Sequence, residues 1–459
     1  MTTNKKPNIL FLFSDQQRWD TLGCYGQPLP TTPNLDQMAS DGALFQNCYT
    51  MQPVCDPARA SLQTGMYASQ HGSYTNGIPL NQNVQLLARE LKDVGYELGY
   101  IGKWHLASKN GDNNQNYTEA GVPMALRGGY EDFWLASDAL EHTSHGYDGH
   151  MFDQDNNRRD FPKDRYRVDV QTDWLIEYLD SRDGDKPFFC FCSYLEPHHQ
   201  NDHQCYEGPH GSKKQFKDFV APGDLAGHEG KGDWEKEYPD YLGCINSLDK
   251  NLGRIRAALK ANGQDENTII IYTSDHGSHF CTRTWEYKPS PHESCTHVPL
   301  LICGPGIPAG TRIDEMVSLI DLPPSILRAA GAVIPPTFQG ADLQPLINGD
   351  DINWENEVFI EISESQVGRA VRTPDWCFAV HAPEKHACDD ARSDTYVDAY
   401  LYDLKAGPHE QNNLIGKAAY VDIRNQLAQR LAEKINAIPT RPGSGGAREL
   451  LRPALRYAL

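Results

Sequence analysis

The stretch Cys55-Asp56-Pro57-Ala58-Arg59 puts a thiol, a proline and an arginine within five residues. Pro57 suits the first turn of a helix, where its missing N–H costs nothing, and such a helix would aim its positive end at Cys55 and at any anion beside it. Arg59, one turn in, would brace negative charge developing on the side chain of residue 55. Asp15 and Gln16 close one apolar run, Asp275 and His276 another. Together they offer three oxygen donors and one imidazole, a set suited to a hard divalent cation such as Ca²⁺, with Mn²⁺ or Mg²⁺ as alternatives. Lys103 and Lys288 are point charges suited to an anion, and His105 and His198 titrate near neutral pH.

These residues must be held by rigid elements. Asn8 to Phe13, Phe188 to Leu195 and Asn267 to Thr273 read as fully buried strands, each ending in a polar cluster, and Gly99 to Ile101 as a short strand running into Lys103. Leu86 to Val94, Val168 to Leu179 and Tyr241 to Lys260 read as helices between them. The alternation predicts an α/β, doubly wound, mainly parallel sheet, with chemistry at the C-terminal ends of its strands. Ala107 to Asp160 and Gln200 to Pro239 lack periodicity and read as long functional loops. Glu357 to Ile362, Ala370 to Val371, Trp376 to Val380 and Tyr400 to Asp403 read as a smaller antiparallel sheet, followed by a helix near Tyr420 to Ile435. Two units are therefore expected, a catalytic domain over 1–350 and a small α+β subdomain over 351–459.

The full pattern Cys55, Pro57, Arg59, Leu62, Thr64, Gly65 resembles the type I sulfatase signature within the alkaline-phosphatase superfamily. The resemblance continues through Thr32 to Asp36 (TPNLD), Gly102 to Leu106 (GKWHL), Glu196-Pro197-His198 and Ser274 to Gly277. Lys288, 13 residues after Asp275, and the ending Tyr402-Asp403-Leu404, Pro408, Glu410, Asn413 and Leu414 extend it further. Two positions depart from the commonest pattern: Gln16 stands where Asp is usual and His276 where Asn is frequent. That pair is similar to phosphonate monoester hydrolases and choline sulfatases. His297 replaces an arginine of the family, so Glu293, Ser294 and His297 are read as structural support.

The resemblance implies an alkaline-phosphatase-like fold and a sulfuric ester hydrolase. Cys55 would be oxidised to formylglycine by a maturation enzyme, because a hydrated aldehyde can attack sulfur with one hydroxyl and expel sulfate when the other loses its proton. Asp15, Gln16, Asp275, His276 and residue 55 would hold one metal ion. Arg59, Lys103 and Lys288 would handle negative charge. His105 would take the proton from residue 55, and His198, preferred over His199, or Lys288 would protonate the leaving oxygen. The expected substrate is a sulfated mono- or oligosaccharide, met by the long aromatic- and Asn-rich loops. A phosphonate monoester or phosphodiester hydrolase is the second reading, and a non-catalytic sugar-binding protein the third.

The 459 residues carry 42 basic and 62 acidic side chains, a net charge of −20, which disfavours a nucleic-acid partner. No run is apolar enough to cross a membrane, and the 12 cysteines form no zinc or disulfide spacing. As written the sequence predicts a cytoplasmic protein with reduced thiols, or a periplasmic or secreted one if a leader has been removed. The loop residues His142, His145, His150, Asp202 and His203 are read as solvated.

Overall fold

The computed structural model describes residues 5–182 and 184–438. Along the strand Asn8–Ser14 every residue is buried, and alternate side chains enter two separate cores. Ile9, Phe11 and Phe13 pack with the helices Cys55–Thr64, Leu87–Asp93 and Leu322–Ala329, whereas Leu10 and Leu12 pack with Pro33–Asp41, Arg167–Asp180 and Trp234–Ala261. A strand apolar on both faces has only this solution, a sheet held between two helical layers.

The register brings the polar strand ends to one level. Asn8–Ser14 runs parallel to Thr268–Ser274 with Ser14 opposite Ser274, and parallel to Phe188–Ser193 with Phe13 opposite Ser193. Glu97–Lys103 joins next, with Gly102 opposite Ser193. Asp15, Asp275, Lys103 and the segment from Glu196 therefore leave the sheet side by side.

The sequence reading finds this parallel centre and misses its flanks. Phe133–Ser137 extends it as a further parallel strand inside the stretch read as the loop 107–160. Five residues are too few to show a period against Asn- and Gly-rich surroundings. Ala43–Tyr49, His297–Cys303 and Thr311–Ser318 were also not anticipated; His297–Cys303 runs antiparallel to both neighbours, so the sheet is mixed. The helix expected from Tyr241 begins at Trp234 and contains Pro239 in its second turn, where a lost N–H leaves short only the carbonyl of the exposed Glu235.

The four-stranded antiparallel sheet Val358–Ile362, Gly368–Arg372, Trp376–His381 and Val397–Asp403 follows. Leu427 and Leu431 of the helix Val421–Ala437 cover one face, against Phe359, Val371, Phe378 and Leu401. The other face lies on Tyr49 and Met316 of the large sheet's edge. We place the boundary between the two units at 350/351, within the exposed run 348–353; residues 439–459 of the second unit lie outside the described residues.

Gly102, the last step before Lys103, has φ of 102°, and a Cβ there would lie 1.9 Å from the Ser193 carbonyl oxygen. Gly102→Ala must move the neighbouring strand as well as adopt a left-handed backbone. We expect a loss of about 2 kcal/mol or more of stability, read as a lowered thermal midpoint and denaturant midpoint.

Candidate active site

Cys55 is the first residue of the helix Cys55–Thr64 and is fully buried. Its thiol donates to Asp15 Oδ1 at 3.5 Å, approaches His276 Nε2 at 3.2 Å and receives Lys288 Nζ at 2.9 Å. Burial, and then the Asp15 carboxylate, push the thiol's pKa up, so an unmodified Cys55 is a poor thiolate nucleophile here. The helix end contributes less than expected: the Asp56 N–H is taken by Asn76 Oδ1 at 3.1 Å, and Pro57 has none.

Two carboxylates and an imidazole converge beside the thiol. Donor atoms of Asp15, Cys55, Asp275 and His276, all buried, lie within 4.8 Å of one another. His276 places Nδ1 2.9 Å from the Gly277 carbonyl oxygen, a contact that assigns the proton to Nδ1 and leaves the Nε2 lone pair facing the cluster. Burial lowers the ring's pKa, which keeps it neutral and able to ligate. Gln16 has φ of 67° and donates its side-chain amide to Tyr206 Oη at 2.9 Å and Ser278 Oγ at 3.3 Å. Its amide oxygen is thereby the atom left to face a cation. Oxygen donors plus one neutral imidazole fit a hard divalent ion.

Arg59 is turned toward the carboxylates. Its Nη2 donates to Asp15 Oδ2 at 2.9 Å and Asp275 Oδ2 at 3.2 Å, and its Nη1 to the Lys103 carbonyl at 3.1 Å and Ser193 Oγ at 2.7 Å. Both Nη atoms thus hold the Asp15 and Asp275 carboxylates, the Lys103 carbonyl and Ser193, partners that the motif alone does not reveal. Lys103 Nζ lies 2.9 Å from Asp15 Oδ2 and 3.0 Å from Glu141 Oε1. Burial opposes the charge on each of these groups. The cations overcome that opposition at Asp15, holding its pKa well below the usual carboxylate range, and Lys103 does the same for Glu141.

Lys288 differs from the other two cations. It is 6% exposed and, among the described residues, forms no ion pair; its Nζ lies 2.9 Å from Cys55 Sγ and 3.1 Å from His198 Nε2. Burial, and then Lys288, push His198 well below its ordinary value, so its ring is neutral. His199 faces away, with Nδ1 3.0 Å from Asn201 Oδ1 and Nε2 3.0 Å from Tyr287 Oη. His105, with φ of 56°, sets Nδ1 2.8 Å from Asp56 Oδ1. Burial pulls its pKa down, but Asp56 outweighs that and raises it to about 10.

Asp56, Glu141 and Asp138 escaped the sequence reading. Asp56 lies inside the cysteine motif at a position any residue can fill, and Glu141 sits in a stretch without periodicity. Asp138 accepts the N–H groups of Leu106, Ala107 and Ser108 at 2.9 Å each, which fixes the turn after His105. Glu293 pairs with Arg372 at 2.9 Å, and His297 stacks between Trp19 and Tyr49, at 4.3 and 4.8 Å between ring centroids.

A model of the Sulfatase family matches residues 7–332. The chain belongs to the sulfatase family. A second model, for the C-terminal part of N-sulphoglucosamine sulphohydrolase, matches residues 283–437. This sulfatase is 26% identical over 514 residues to an N-acetylglucosamine-6-O-sulfatase of Bacteroides thetaiotaomicron, covering 94% of this chain and 86% of that one. It is 30% identical over 454 residues to an ulvan-active sulfatase of Formosa agariphila, covering 94% and 81%. The solved structure of the sulfatase yidJ from Bacteroides fragilis matches with a TM-score of 0.80 at 26% identity, covering 95% of this chain and 96% of that one. The sulfatase model thus spans the sheet and every one of the site residues above, in a hydrolytic enzyme of the alkaline-phosphatase superfamily.

The pair His105–Asp56 can be tested directly. A histidine pKa raised from 6.5 to about 10 stabilises the fold fully below pH 6.5, and that contribution is lost as pH rises through about 10. In Asp56→Asn we expect the His105 ring to titrate lower by NMR. The decline in thermal stability between pH 6.5 and 10 should become shallower than in the parent.

Proposed function

We propose that this sulfatase removes sulfate from a sulfated mono- or oligosaccharide, with formylglycine derived from Cys55 as nucleophile and Ca²⁺ as the metal. The observation that carries the reading is Lys288, a buried ammonium without an ion-pair partner among the described residues, 2.9 Å from the side chain of residue 55. Against burial, Asp15 favours the Lys288 charge from beyond direct pairing distance, so Nζ stays charged and keeps donor capacity for an anion beside residue 55. Formylglycine would supply a hydrated aldehyde as nucleophile. A divalent cation on Asp15, Gln16, Asp275 and His276 would polarise a sulfate oxygen.

The chain's own residues do the rest. Lys103 and Lys288 flank the position of a sulfate group and neutralise its oxygens. Lys288 and His198, in contact at 3.1 Å, form the donor pair on the leaving-group side, where a proton must reach the departing sugar oxygen. His105 would take the proton from residue 55 in its neutral form, which Asp56 makes the minor form below about pH 10. Arg59 keeps both metal carboxylates in place.

The carbohydrate assignment rests on the two relatives named for sugar sulfates. Trp285, three residues ahead of Lys288 in the chain, is 75% exposed and offers a flat apolar face of the kind that packs on the C–H side of a sugar ring. Gln16 and His276 favour the second reading, phosphonate or phosphodiester hydrolysis, because one carboxylate fewer leaves the metal site less negative.

Matured, Ca²⁺-loaded enzyme should release sulfate from at least one sulfated sugar of a mono- and oligosaccharide panel, followed by ion chromatography. Cys55→Ser should lower that turnover by about 10³-fold or more. Chelation by EDTA should abolish it and Ca²⁺ restore it. Preferential cleavage of a phenyl phosphonate ester with no sugar desulfated would replace this reading by the second one. Trp285→Ala should raise KM for the sugar several-fold and leave kcat near the parent value.

A further inference from the structure

Outside the catalytic centre, two histidines and two carboxylates converge at the rim. His145 ends the short strand Ser144–His145, Asp202 and His203 lie in the turn 201–204 after His198, and Glu207 follows shortly beyond it. The imidazoles of His145 and His203 stack with centroids 3.9 Å apart and planes within 8°. Glu207 Oε1 meets Nδ1 of both, at 2.6 Å for His203 and 3.5 Å for His145. A carboxylate facing both Nδ1 atoms favours a proton there in each ring, which makes Nε2 the ligating atom of each. Asp202 approaches from the Nε2 side, with Oδ2 3.6 Å from His145 Nε2. One donor atom from each of His145, Asp202 and His203 lies within 4.8 Å of the others.

The supports are as specific as the donors. Glu207 Oε2 accepts the Gly146 N–H at 2.7 Å, and Tyr166 Oη donates to the Glu207 carbonyl at 2.7 Å. Asp202 Oδ1 accepts from Gln200 Nε2 at 2.9 Å and from the His203 N–H at 3.1 Å, which turns Oδ2 toward His145. Solvated side chains, the reading these residues receive from sequence, have no reason to share one carboxylate between two ring nitrogens.

We propose that His145, His203 and Asp202 form a second metal site, distinct from the catalytic one, which takes Zn²⁺ with water as the fourth ligand and Glu207 orienting both imidazoles. Two imidazole nitrogens and a carboxylate suit zinc, and an open position at the surface suits bound water. Zinc there ties the segment after Glu141 to the segment after His198. Gln200 Nε2 already bonds the Glu141 carbonyl at 2.8 Å, so the tie sits next to the partner of Lys103.

The test uses full-length protein saturated with Ca²⁺, equilibrated with micromolar Zn²⁺, freed of excess and assayed for both metals by mass spectrometry. The parent should retain one zinc per chain more than the double variant His145→Ala, His203→Ala, with equal calcium in both. Glu207→Gln should bind zinc about 10- to 100-fold more weakly. Thermal midpoints measured without zinc reveal a folding defect; where the double variant has one, the Glu207→Gln affinity decides. Co²⁺ should give the parent a d–d absorption band characteristic of low-coordinate nitrogen and oxygen ligation. Equal zinc in parent and double variant, no zinc in either, or an unchanged affinity in Glu207→Gln overturns the site.

Discussion

The Asp15 carboxylate is fully buried and serves three partners at once: Arg59 and Lys103, each at 2.9 Å, and the Cys55 thiol at 3.5 Å. Burying a carboxylate is tolerable only where cations and hydrogen bonds replace its water. Asp15 therefore fixes where Arg59 and Lys103 lie. Through Arg59 it also fixes Asp275, and through Lys103 it fixes Glu141. Counted as charges, Arg59, Lys103 and Lys288 stand against Asp15, Asp275 and Glu141. A divalent cation added to this set makes the site electropositive, and a sulfate ester bound between the lysines offsets the excess.

The fold delivers that arrangement through strand register. Asp15 and Asp275 are adjacent because Ser14 lies opposite Ser274, and the Lys103 carbonyl meets Arg59 because Gly102 lies opposite Ser193. A one-residue slip in either pairing would turn these side chains to the other face of the sheet. The strands are apolar on both faces, so their register is set by side-chain packing in the two cores and by the polar residues at their ends, not by an apolar–polar alternation. The small C-terminal sheet extends the structure from the far edge, where Arg372 reaches Glu293 at 2.9 Å and Glu410 at 2.6 Å.

What could be read from the sequence follows from the same physics. Buried parallel strands announce themselves as unbroken apolar runs, so Asn8–Ser14, Phe188–Ser193 and Thr268–Ser274 were legible together with the residues at their ends. The short strand Phe133–Ser137 gave no such signal. Neither did Glu141 or Asp138, because a carboxylate that acts by meeting a lysine or a turn across the fold has no local pattern. Arg59 was found for its place in the motif, but its partners were not, since the direction of a long side chain depends on where charges from other strands arrive. His145 and His203 lie 58 residues apart, and only the folded chain stacks them.

The central claim is that Lys288 completes an anion site with the metal carboxylates and residue 55. Titration calorimetry of inorganic sulfate into Ca²⁺-loaded Cys55→Ala protein, with and without Lys288→Met, tests it most directly. A charge-assisted hydrogen bond contributes about 1.5–3 kcal/mol, roughly 10- to 150-fold in affinity. Saturable sulfate binding that weakens by at least about tenfold in Lys288→Met is the predicted result. Equal sulfate affinity in the two proteins would contradict the account.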